Sequence, residues 1–280
     1  MRKISVNKVR SAVAALSVEA NLVLRKDVLD ALKKAYRAEK AGKAKNVLGI
    51  LIENAAVAKR SGTAICQDTG MAEVFLDIGQ GVSLTGGDLS KAVNDGIRLG
   101  YARGYLRKSV VSGPFIRKNT RDNTPAVIHT RISAGNKLKI TLMPKGFGSE
   151  NKTVTKMFNP TQAAAEVSDF IVESVKKAGA DACPPYIVGV GAGGTLDKAC
   201  ILAKEALLRP VGKFNRKPHI AALERALKKR INALKIGPMG FGGGATCLWV
   251  NIEDYPTHIA GLPVCVSISC HATRSASRTI

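Results

Sequence analysis

Aromatic residues are scarce in this chain of 280 residues, at 5%, and tryptophan occurs once. Stacking platforms for nucleobases are therefore few, and no zinc-finger or RNA-recognition signature appears. No apolar run approaches the roughly 20 residues that a membrane helix needs. The amino terminus has no uninterrupted apolar core before a small-residue cleavage site, so the expectation is a cytoplasmic protein with no membrane partner. Six cysteines, widely spaced, are too thin for a secreted disulfide scaffold and predict thiols kept as ligands or core residues. Acidic residues are also in short supply: 43 Lys and Arg stand against 21 Asp and Glu, a net charge of +22.

That charge raises nucleic acid as a partner, with basic clusters at Arg117-Lys118, Lys213 to Lys217 and Lys228-Lys229-Arg230. The cations run along the whole length instead of gathering in a tail, which together with the missing aromatics argues against it. An anionic substrate, an acidic partner subunit or a solvated basic surface gives the same count. What the chain does have is 45% hydrophobic residues, enough for a sizeable core.

Periodicity predicts alternating elements with no linker, hence one domain over 1–280 of mixed α/β class, a layered mixed sheet with surrounding helices. Helices are expected over 27–38, 46–59 and 88–106, and a strand in MAEVFLDIG. TPAVIHTRIS and KLKITLMP, on either side of Ala134-Gly135-Asn136, predict a hairpin. Asn159-Pro160 predicts a helix start, with Gly179 as its stop. A strand in YIVGVG, helices over 195–208 and 218–235, and strands in TCLWVNIE and VCVSIS follow.

Gly189, Gly191 and Gly194 satisfy G-x-G-x-x-G after a strand and before a helix, the setting of a dinucleotide-binding turn. Where the ribose-binding acid should stand, the chain reads Arg209-Pro210-Val211-Gly212-Lys213, and no second βαβ half appears. The glycines are better read as a tight strand-to-helix turn, or as the approach of a helix amino terminus to an anion or cluster.

Cys66, Cys183 and Cys270 each sit among Gly, Pro, Asp or His, whereas Cys200, Cys247 and Cys265 lie in apolar runs and predict small core residues. Cys66 is followed by Gln67, Asp68, Thr69 and Gly70, which puts a ligand and a proton donor on one loop. Paired prolines follow Cys183, and His271 follows Cys270. Three thiols with no fourth suit a cubane cluster with one open iron and not a closed zinc site. Spacing alone leaves open whether the three meet in space at all.

At these residues the chain resembles a known family. ICQDTGMAEVFLDIGQ, NTPAVIHT, GFGSENKT, CPPYIVGVGAGGTLDKA, LLRPVG, IGPMGFGG and SISCHATR, in this order, are similar to the α subunit of class I, iron-sulfur fumarate hydratases and L-tartrate dehydratases. The resemblance implies a 4Fe-4S cluster on Cys66, Cys183 and Cys270, its fourth iron open to substrate. It implies that Asp68 and His258 are catalytic, and that Gln67, Asp68, Arg107, the Gly148 backbone and His258 contact substrate. It further implies a β subunit carrying a swivelling domain that this chain does not match, within an α2β2 assembly. GSENKT resembles the fumarase-type members, so fumarate and (S)-malate are the expected substrate pair. L-tartrate and mesaconate-type substrates are the alternatives, and a basic nucleic-acid-binding protein is the non-enzyme one.

Overall fold

The computed structural model describes residues 1–162 and 164–280. In chain order the elements are β1 (Arg2–Ser5), α1 (Val6–Leu22), α2 (Lys26–Ala38), α3 (Gly42–Ser61), β2 (Met71–Gly79), β3 (Val82–Thr85), α4 (Leu89–Arg103), β4 (Val127–Ser133), β5 (Leu138–Lys145) and α5 (Phe147–Glu150). They continue with β6 (Val154–Phe158), α6 (Ala164–Ala178), β7 (Tyr186–Gly193), α7 (Leu196–Leu208), α8 (Pro218–Ala233), β8 (Cys247–Tyr255), β9 (Leu262–Ser269) and β10 (Ala276–Thr279). The chain adopts the mixed α/β class expected of it. Its elements gather into two compact units, each built from separated stretches, which is why no linker can be read.

The first unit comprises Met1–Arg25, Asn54–Phe147 and Arg274–Ile280. Its main sheet has the order β10-β5-β2-β4, and β1 pairs with β3 in a small parallel ribbon. The alternation in β2 buries Ala72, Val74 and Leu76 against α1, α4 and β5 in one apolar core with Leu16, Ile97 and Ile140. The expected hairpin does not form. β4 pairs parallel with β2 and β5 antiparallel with β2, so β2 lies between the two predicted partners. The Ala134-Gly135-Asn136 turn arches over the end of β2, where Gly79 N–H donates to Lys137 O at 2.9 Å and Gly81 N–H to Gly135 O at 2.8 Å.

The second unit comprises Lys26–Glu53 and Gly148–Thr273. Its sheet has the order β6-β9-β7-β8, with β7 parallel to β8 and antiparallel to β9. Val188, Val190, Val250, Val266 and Ile268 form the centre of its core. The Asn159-Pro160 helix start is displaced. Asn159 instead makes a turn in which its Oδ1 accepts the Thr161 N–H at 3.1 Å, and α6 spans Ala164–Ala178; residue 163 lies outside the described residues.

The glycine motif proves to be a packing device. A Cβ on Gly189 would stand 2.3 Å from Ala203 O, and one on Gly191 would stand 1.9 Å from Ala199 O. Bare backbone on β7 thus lets α7 lie directly on the sheet. α7, α8 and β8 are then joined by Arg209. Its guanidinium bonds to the fully buried Glu224 carboxylate, to Glu253 at 2.8 Å and to Asn251 Oδ1 at 3.0 Å. Among the described residues no helix is long and apolar enough to cross a membrane.

Gly191→Ala must force α7 off β7. It is expected to cost about 2 kcal/mol or more, as overpacking of a close contact does. Gly42→Ala, where an added Cβ meets nothing within 4 Å, should leave the urea unfolding midpoint unchanged or raised.

Candidate active site

The first thiol opens the segment Cys66-Gln67-Asp68-Thr69-Gly70, between α3 and β2. A loop at a strand mouth has peptide groups that no ladder satisfies. Here three successive carbonyls turn inward to donors. Arg274 donates to Asp68 O at 2.7 Å, the Tyr101 hydroxyl to Thr69 O at 2.7 Å, and the Asn123 amide to Gly70 O at 3.1 Å. All three donors are buried. Arg274 is braced in turn by Asn21 Oδ1 at 3.0 Å, and burial pushes the Tyr101 hydroxyl well above its ordinary pKa, so it remains a donor. Gly70 has φ +74, and a Cβ there would meet the Lys145 backbone at 2.8 Å. No other residue closes this turn without displacing β5.

With the carbonyls inward, the side chains face out. Cys66 and Asp68 are half-buried and Gln67 is exposed. Asp68 Oδ1 accepts the Gly70 N–H at 2.9 Å and Oδ2 accepts the Phe147 N–H at 2.8 Å. Each oxygen is thereby oriented and keeps lone-pair capacity for another donor. Thr69 Oγ1 donates to Arg107 O at 2.7 Å, tying the backbone of Arg107 to the same loop. The Arg107 side chain is exposed, and among the described residues its guanidinium has no carboxylate partner.

The second unit carries the other two thiols at one end of its sheet. Cys183 precedes β7 and Cys270 follows β9, and Ile187 pairs with Ser269 where these antiparallel strands meet. His271 joins the segments: its N–H donates to Cys183 O at 3.1 Å, and its Nδ1 lies 3.3 Å from the same oxygen. Cys183 has φ +55, a left-handed conformation that a non-glycine residue holds only when its surroundings impose it, as at functional sites. The Tyr186 hydroxyl donates to Gly179 O. Burial, and then the charge that Cys183, Asp181 and Cys270 carry when ionised, raise its pKa above the ordinary phenol value.

Gly148 lies in α5 with open space before it, since an added Cβ would come no closer than 3.9 Å to Asp181 O. His258 stands on the exposed loop between β8 and β9. Its Nδ1 accepts the Ala260 N–H at 3.1 Å, which leaves Nε2 as the protonated nitrogen of the neutral ring. The sites expected from the sequence thus fall into two sets, Cys66, Gln67, Asp68 and Arg107 in the first unit and Gly148, Cys183, His258 and Cys270 in the second. Among the described residues no three His, Cys, Asp or Glu side chains form a ready metal-holding group. The donor chemistry nonetheless suits thiolate ligation. The three loop thiols form no disulfide and are part-exposed, as is Cys200 on α7, whereas Cys247 and Cys265 are buried, and burial drives the Cys247 thiol up to about 12.

Sequence reasoning missed the residues that brace the first loop. Asn123 is fully buried with φ +62, and its Oδ1 accepts the N–H groups of Ser109 and Val110 at 2.7 and 3.2 Å. The signal was slight: an Asn before Thr-Pro, a type that tolerates the left-handed region.

A family model described as Fumarate hydratase (Fumerase) matches residues 10–279. The putative L(+)-tartrate dehydratase subunit alpha of Methanocaldococcus jannaschii is 38% identical over 281 residues, 98% of this chain and 98% of that one. The L(+)-tartrate dehydratase subunits alpha of Escherichia coli strains UTI89 and K12 are 30% identical over 274 residues, 96% of this chain and 90% of theirs.

Asn123→Ala removes one amide that serves three backbone groups and places alanine at positive φ. It is expected to lower stability by about 3 kcal/mol, measured by urea unfolding, and to speed labelling of Cys66 by a thiol reagent.

Proposed function

Because this chain belongs to the fumarate hydratase (Fumerase) family, as an α-subunit hydro-lyase, we propose that it hydrates fumarate reversibly to (S)-malate. The observation that carries this reading is the first loop. It turns a free thiol and a doubly oriented carboxylate outward and ties to itself an arginine that no protein carboxylate occupies.

Cys66, Cys183 and Cys270 are the residues that would hold a 4Fe-4S cluster. When bound, the cluster supplies a Lewis acid with one open iron position for substrate oxygens. The remaining work falls to the side chains. The Arg107 guanidinium binds a substrate carboxylate in fork geometry, and Gln67 donates its amide to the same dianion. The Asp68 carboxylate, held by two backbone N–H groups, accepts the proton of the hydroxyl and returns it in the reverse direction. His258 donates from Nε2, and the Gly148 backbone closes the contact. The charge of +22 draws a dicarboxylate toward the site.

The relatives named as subunit alpha support a β subunit partner, and we assign to it the swivelling domain that completes the site in an α2β2 assembly. We place the complex in the cytoplasm. L-tartrate is the second reading, because the relatives above carry that name; mesaconate-type substrates differ by one methyl group, worth only about 1–3 kcal/mol of discrimination. Comparison of kcat/KM for (S)-malate and L-tartrate with the assembled enzyme decides between them, and a higher value for L-tartrate overturns the fumarase reading.

Asp68→Asn keeps one of the two backbone hydrogen bonds that the carboxylate accepts, turns an amide donor toward the other N–H, and removes the base. Its kcat is expected to fall by about 10² to 10⁴, with the visible absorption of the cluster unchanged. Cys183→Ala in anaerobically purified protein should abolish the broad absorption near about 400 nm that marks such a cluster. An unaltered spectrum in that variant would remove Cys183 from the ligand set.

A further inference from the structure

In the second unit a cavity of about 810 Å³ is lined by α2, the Val211-Gly212 turn, the end of α8 and the segment Gly243 to Trp249. Its volume falls within the roughly 300–1,000 Å³ of ligand sites. None of the residues assigned above to the hydratase reaction lines it.

The carboxylates of this cavity are already engaged. Glu39 Oε1 accepts the N–H groups of Lys40 and Ala41, both at 3.1 Å, and its Oε2 accepts that of Gly244 at 2.8 Å. Burial works to raise the Glu39 pKa, but these backbone bonds outweigh it and hold the group below the usual carboxylate range. Asp27 Oδ2 accepts the Val211 N–H at 2.7 Å, and Asp30 pairs with Lys26 at 2.6 Å.

The cations have no such partners. Among the described residues, Lys34, Lys228 and Lys235 line the cavity without a carboxylate to meet them. Lys228 Nζ lies 4.5 Å from the centroid of the Trp249 ring. Burial, and then the charge of Lys34, lower the Lys228 pKa against an opposing pull from Cys247. Trp249 also lines the cavity, and its indole Nε1 is buried without an acceptor. Phe214 lies 4.6 Å from the same ring, so with Lys228 also over it the indole is not offered as a stacking platform.

Ammonium groups gathered on one cavity without carboxylate partners call for one kind of ligand, a molecule with several anionic oxygens. We propose that this cavity is a second anion site, taking a small polyanion with carboxylate or phosphate groups on Lys34, Lys228 and Lys235.

Trp249 is the sole tryptophan, so its emission reports on this cavity alone. The full chain is titrated with tricarballylate and, separately, with pyrophosphate, each against sodium chloride at equal ionic strength. A saturable change with a midpoint below about 1 mM is expected from at least one of them, and which one saturates identifies the carboxylate or phosphate source. Lys228→Met and Lys34→Ala should each raise the midpoint at least about tenfold, while Asp68→Asn should not. Lys34 is an exposed helix position, so its variant decides the matter if Lys228→Met misfolds; calorimetric titration then replaces the optical readout. No saturation by either ligand, an equal response to sodium chloride, or unchanged midpoints in the lysine variants overturns the proposal. The hydratase reading is tested by activity and by the cluster spectrum, so the two can fail separately.

Discussion

The inward turn of three peptide carbonyls in the Cys66–Gly70 loop is the constraint from which the first half of the site follows. A buried carbonyl left without a donor costs about 1–3 kcal/mol, so Arg274, Tyr101 and Asn123 together fix the loop far more firmly than its own sequence could. The donors come from three different parts of the unit: the stretch after β9, the helix α4, and the loop before β4. With these carbonyls held, the Asp68 carboxylate is set by the Gly70 and Phe147 N–H groups, and Cys66 and Asp68 remain half-buried at the surface of the loop. Such rigidity is what the proton transfer proposed for Asp68 requires, because a misplaced base loses most of its effect.

The second unit reaches a similar end by other means. Its two thiols are placed by strand pairing, since antiparallel β7 and β9 bring the start of one and the end of the other to the same edge. What holds those strands in place is the helix lying against them. Bare glycines allow α7 to touch β7, and Arg209 pins the helix layer to β8 through a fully buried carboxylate. A buried ion pair with several additional bonds is more a device of specificity than of stability, and here it fixes a helix against a strand.

Much of the fold was legible. β2 alternates so cleanly that its bounds can be read directly, and the helices over α2, α7 and α8 follow their apolar periodicity. The failures have physical causes. β4 and β5 read as a hairpin because a short glycine turn joins them, but β2, from earlier in the chain, takes the position between them, and no local pattern encodes that insertion. β1, β3 and β10 are four-residue edge strands, too short for alternation to register. The contrast between loop thiols and core thiols held for Cys247 and Cys265, buried among apolar neighbours, but not for Cys200, which packs against the core from a part-exposed position on α7. The bracing role of Asn123 was only faintly signalled, because it rests on partners at Gly70 and Ser109 that meet it only in the folded chain.

The arrangement of the first unit has a bearing on biosynthesis. Its sheet is incomplete until β10 pairs with β5, and its Cys66–Gly70 loop lacks a clamp until Arg274 arrives, yet both follow the whole second unit in chain order. A nascent chain leaving the ribosome therefore exposes every residue of the second unit before the first unit has all of its own. Until then β5 keeps an open edge, and the loop bearing Cys66 and Asp68 lacks the Arg274 clamp.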